Sequence, residues 1–166
     1  MGLKYREQEN ALPDNAAHRP LDNVYIVGCS GFIYTAASIV SEETRPPSAA
    51  LIVSAGAAPF RITVKGKALS TRAAVIPPFL ARGLGAHEVP LVCFHITPGS
   101  PRYAGFRALA PGGVALLERD CFQELDASLE ALYQGRLEPA LAPAIYEQAL
   151  SVPFRHLTPQ ARLDPR

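Results

Sequence analysis

Between Val24 and about Pro98 the chain offers strand-length runs at close intervals and leaves no helical segment between them. That spacing is the strongest constraint on the fold. "VYIVGCSGFIYTA", "AALIVSA" and "LVCFHITP" are rich in β-branched, aromatic or aliphatic residues that suit a pleated, half-buried surface. Gly28 and Gly31 mark a turn or bulge in the first run, and "SEETRPPS" reads as a loop. "FRITVKGKALSTRAAVIPP" reads as a hairpin, because Phe60, Ile62 and Val64 alternate with Arg61, Thr63 and Lys65. Its turn lies at Lys65-Gly66-Lys67. Strands this close together predict a sandwich or a barrel.

After Pro101 the period changes. "PRYAGFRAL" predicts a short helix, interrupted by "PGG". In "LERDCFQELDASLEALYQG", Phe122, Leu125, Leu129 and Leu132 recur at three and four residues, and Gly135 supplies a stop. "EPALAPAIYEQALSV" places Leu141, Ile145 and Ala149 one turn apart. The expected organisation is a lead-in over 1–22, a β region over 23–100 and a helical part over 101–152 that belongs to the same domain. Residues 153–166 read as a linker, because "PFRHLTPQARLDPR" is proline-rich and poor in apolar residues.

Composition narrows the function classes. With 166 residues and 48% hydrophobic content, one domain with its own core is expected. A net charge of +1 gives no footprint for nucleic acid. Cys29, Cys93 and Cys121 are odd in number and unpaired in spacing, which argues for reduced thiols and a cytoplasmic protein. "MGLKYREQEN" does not read as a signal peptide, and "AALIVSAGAAPF" is too short to span a bilayer, so no membrane role is expected. Ser30 in "GCSGF" falls short of a nucleophile elbow, since Phe32 stands where the second glycine belongs. No constellation demands catalysis, and the chain is expected not to be an enzyme.

"AALIVSAGAAPFRITVKGKALSTRAAVIPP", "LVCFHITPGSPRYAGF" and the closing "LDPR" together resemble the N-terminal sensor and dimerisation domain of AraC-type transcriptional regulators. The similarity runs from about Val24 to Arg166. Asp164-Pro165 is an N-cap followed by the residue that suits a first helical position, and it resembles the start of that family's DNA-binding region. The resemblance implies an α+β domain: a cupin-like double-stranded β-helix, or jelly roll, followed by a helical hairpin. It implies a small-molecule effector inside the barrel, a homodimer, and DNA contact only through a helix-turn-helix region not in this chain. The alternative is a stand-alone cupin enzyme, an isomerase or lyase for a small metabolite.

Many cupins hold a metal with the signature P-x-G-x-x-H. Here "PPFLAR" puts Phe79 in the glycine place and Arg82 in the histidine place. Arginine does not lose its proton to bind a metal, so neither metal nor cofactor is expected. In "LVCFHITP" the period of two sets Leu91, Cys93, His95 and Thr97 on one face and Val92, Phe94 and Ile96 on the other. The resemblance implies that Leu91, Cys93 and His95 face inward, with Leu84 on the pocket wall. Arg61 and Arg82 are candidates to grip an effector carboxylate, and Tyr25 or Tyr34 to stack on it; exposure or core packing is the alternative for each. Such walls suit an aromatic or aliphatic acid better than a sugar. The Phe122, Leu125, Leu129, Leu132 stripe is the candidate dimer contact, with packing inside its own chain as the competitor.

Overall fold

The computed structural model of the protein describes residues 22–28 and 31–157. Among the described residues ten strands come first or nearly so: β1 (Asn23–Ile26), β2 (Gly31–Ala36), β3 (Ile39–Thr44), β4 (Ala49–Ser54), β5 (Phe60–Val64), β6 (Lys67–Thr71), β7 (Ala73–Ile76), β8 (Arg82–Ala86), β9 (Leu91–Ile96) and the short β10 (Ala115–Leu116). They form a six-stranded sheet in the order β1-β2-β9-β4-β7-β10 and a four-stranded sheet in the order β3-β8-β5-β6. All recorded pairs are antiparallel.

The pairing has a simple origin. Lys65 and Gly66 both take positive φ, 52° and 76°, which makes a tight hairpin turn whose twist matches its strands. From that tip β5 pairs with β6, β4 with β7, β3 with β8 and β2 with β9. One long hairpin is thus wound up on itself, its arms passing between two sheets. This is the pairing of a double-stranded β-helix, or jelly roll. One crossing falls at Arg72, where the Thr71 hydroxyl donates to the Ala73 carbonyl at 2.9 Å and accepts from the Ala73 N–H at 3.2 Å.

The six-stranded sheet is covered on both faces. Ala50, Ile52, Ala74, Ile76, Leu91 and Cys93 meet Phe60, Ile62, Leu84 and Ala86 of the other sheet. Their alternates, including Ile33, Leu51, Val53, Val75, Val92, Phe94 and Ile96, meet the helices. β4 and β7 are accordingly buried at every position, as expected of strands sealed on both sides.

The helical part comprises α1 (Tyr103–Leu109), a 3-10 segment (Arg119–Leu125) running into α2 (Asp126–Tyr133), a short 3-10 turn (Pro139–Leu141) and α3 (Ala142–His156). Arg119 fastens it to the sheet: its Nε donates to the Ser54 carbonyl at 2.7 Å and its Nη2 pairs with Asp126 at 2.8 Å. Among the described residues no helix is long and apolar enough to cross a membrane.

Four expectations need correction. "SEET" is strand rather than loop; β3 is a sheet edge whose outer positions face water, where acids are tolerated. β8 was not expected, because Gly83 and Gly85 weaken the strand signal. The stripe helix begins as a 3-10 segment, and β10 intervenes before it. The linker was placed from Pro153, yet α3 continues through Pro153 to His156; residues 158–166, with "LDPR", lie outside the described residues.

Candidate inner site

Leu91, Cys93 and His95 share one face of β9, as the period of two sets them, and that face lies toward the four-stranded sheet. Neighbouring strands extend the same face in register. One row runs Ile26, Phe32, His95, Ala50, and the next runs Val24, Tyr34, Cys93, Ile52. Tyr25 packs on the helical side, so Val24 and Ile26 lie on the inner side. They are 57% and 70% exposed, and the two rows lead from this open flank inward to His95 and Cys93. Phe32 stacks on His95, ring centroids 4.5 Å apart and planes 14° from parallel. Tyr34 packs against the inner cluster, and its hydroxyl donates to Asp22 at 2.7 Å. That carboxylate, with burial second, pushes the Tyr34 phenol up to about 12.

Arg82 comes from the opposite wall. It alternates with Leu84 and Ala86 of the inner cluster and is only 7% exposed. Its Nε and the Nδ1 of His95 are buried without a hydrogen-bond partner among the described residues. A third such atom, Arg72 Nε, lies outside this site on a guanidinium whose Nη2 donates to the Gly56 carbonyl at 2.9 Å.

The electrostatics follow from burial. Burial pushes the Cys93 thiol up to about 12, with the Arg82 charge opposing in part. Burial and then the same charge pull His95 down to about 4. Burial lowers the Arg82 pKa, while its interaction with Cys93 raises it. At neutral pH the thiol and the imidazole are uncharged, and a guanidinium remains protonated. The interior therefore holds a cation with no anionic partner among the described residues, an arrangement that normally costs free energy.

In the resemblance read from the sequence, Arg82 takes the place of a metal-ligating histidine. Phe79, in the glycine place of that resemblance, has φ 62°, a left-handed conformation that glycine adopts without steric cost. The donor set does not fit a metal. Arginine is no ligand, and no group of three or more His, Cys, Asp or Glu converges among the described residues.

The structure brings Tyr34, Arg82, Leu84, Leu91, Cys93 and His95 to the inner side, and it separates Arg61 from them. Arg61 alternates with the buried Phe60 and Ile62 and is exposed on the outer face of the four-stranded sheet. There it borders an open groove of about 710 Å³ over Gly83 and Gly85, with Val40, Glu42, Thr63 and Lys65. A joint grip by the two arginines is thereby ruled out. Phe122, Leu125, Leu129 and Leu132 are buried against the helix-side face of their own chain. Packing within the chain accounts for the stripe, so a dimer contact needs other residues. Phe32 was overlooked, although the period of two from Tyr34 places it on the same face.

No protein-family model and no curated protein matches the sequence. Among solved structures, similar chains include a conserved protein of unknown function from Streptococcus pyogenes, 14% identical, covering 48% of this chain and 75% of that one with a TM-score of 0.41. A cupin domain from Bordetella pertussis is 12% identical over 48% of this chain and 96% of its own, with a TM-score of 0.37. A protein from Neisseria meningitidis is 11% identical over 52% and 96%, with a TM-score of 0.40. Likenesses of this size say nothing about function.

Proposed function

We propose that the protein senses a small organic anion between its two sheets, as the effector domain of an AraC-type regulator whose DNA-binding part is not in this chain. The observation that carries this reading is the buried Arg82 guanidinium with its free Nε, beside the free Nδ1 of His95. A fixed cation at this place supplies what a metal would supply in a cupin that had one: a charge for an anion. A carboxylate would accept from Arg82 and gain a charge-assisted hydrogen bond shielded from water. An aromatic or aliphatic body would lie along Phe32, Leu84 and Leu91. Ile26 and Val24 would line the approach. The proposed homodimer forms through residues other than the buried stripe.

Titration calorimetry with benzoate, hexanoate and arabinose tests the anion site. Benzoate or hexanoate is expected to bind, and Arg82→Met to weaken binding at least about tenfold, as loss of a charged hydrogen bond implies. Binding of arabinose alone would overturn it. Sequencing the source reading frame past Arg166 tests the regulator: it is expected to continue into helix-turn-helix units, and an immediate stop codon would sink that part of the reading.

A further inference from the structure

His95 is held from both sides of the sheet. On the inner side its ring stacks on Phe32 at 4.5 Å. On the helical side its backbone carbonyl accepts a 2.7 Å hydrogen bond from the Tyr146 hydroxyl. Tyr146 belongs to α3, is 2% exposed, and has its ring 6.3 Å from that of Phe94.

The sheet is shaped to admit this phenol. Gly31 precedes Phe32 on β2, and its neighbour across the ladder is Ile96. A Cβ at Gly31 would stand 2.0 Å from the Tyr146 hydroxyl oxygen and 2.4 Å from the His95 carbonyl oxygen. Glycine is needed there because no other side chain leaves space for the hydroxyl. Three elements thus meet at one carbonyl: β2 through Gly31, β9 through His95, and α3 through Tyr146.

We propose that Tyr146 is the positioning residue through which the inner site acts on the last helix. A displacement of His95 by an occupant, or by a change at Arg82, moves its carbonyl. The phenol must follow or lose a directional hydrogen bond in a buried place where no water replaces it. α3 carries Tyr146, so the helix is biased with it. The coupling stands on the geometry alone; its use as an output rests on the proposed sensing role.

Hydrogen–deuterium exchange on the full chain tests this, reading α3 amides relative to those of β4. Arg82→Met is expected to change α3 protection by about threefold or more, the scale of coupling through a contiguous network. In a Tyr146→Phe background the same substitution is expected to leave α3 unchanged. A merely structural tyrosine would lower α3 protection in both backgrounds and leave the response to Arg82→Met intact; that outcome overturns the inference, as does no response in the wild type. Phe32→Leu disturbs His95 from inside without touching the helix and does not depend on the Tyr146 variant folding. It is expected to alter the same amides, and no effect would count against the coupling. Should benzoate fail to bind while the substitutions still reach α3, the sensing reading falls and the role of Tyr146 stands.

Discussion

The two faces of the six-stranded sheet are made by alternate residues of the same strands, and they differ in kind. The helix-side face is closed with Ile33, Leu51, Val53, Val92, Phe94 and Ile96 under Phe122, Leu129 and Leu132. The inner face has smaller residues, Ala50, Ala74 and Cys93, and near its open flank a histidine and the facing arginine with unpartnered atoms. Away from that flank burial is nearly complete on both, so burial alone does not separate stability from function. Satisfaction of polar groups does: on the helix side the buried Tyr25 and Tyr146 hydroxyls donate to the Leu132 and His95 carbonyls, whereas the inner side holds a cation that waits for a partner.

The comparison can be broken most directly on the helix side. Leu129→Ala is expected to cost about 2–5 kcal/mol, the range for emptying a well-packed leucine site, read from urea unfolding. A loss below about 1 kcal/mol would mean that the helices only rest on the sheet.

Acid distinguishes the inner face. The folded pKa of His95 is depressed to about 4 from the usual 6.5, so in that window the unfolded chain binds the proton that the folded chain refuses. Stability is expected to fall as pH drops from about 6.5 to 4, by about 2–3 kcal/mol from this one group, and to be fully present above that window. His95→Gln should remove that part of the slope. An unchanged slope in the variant would show that His95 is not held in a dry place.

The smallest effect has the opposite sign. Arg82→Met removes an unpaired buried cation and keeps much of its volume, so urea unfolding is expected to show a gain of about 1 kcal/mol, while carboxylate binding is lost. A destabilisation comparable to that of Leu129→Ala would mean that Arg82 is structural, and the contrast between the faces would vanish.

Much of this was legible in the chain. The β9 alternation separated Leu91, Cys93 and His95 from Val92, Phe94 and Ile96 because neighbouring side chains on a strand point to opposite faces. The Lys65-Gly66 turn and the apolar stripe at 122, 125, 129 and 132 were visible for equally local reasons. β8 was hidden: Gly83 and Gly85 lower its strand propensity, and its place is held by pairing with β3 and β5, far away in the chain. The strand that carries Arg82 was therefore among those the sequence concealed.

The sequence by itself determined which residues share a face, where the central hairpin turns and where the period changes from strand to helix. These depend on backbone geometry over a few residues. Only the tertiary structure decided what covers each face. Arg61 and Arg82 both sit between apolar neighbours or glycines on strands of the same sheet, yet one looks out to water and the other into the protein. Alternation has a period but no sign, and the sign comes from the sheet and the helices that pack on it. For the same reason the stripe that suggested a partner is buried within its own chain. The hydrogen bond from Tyr146 to His95 joins residues 51 positions apart, a contact that no local pattern encodes.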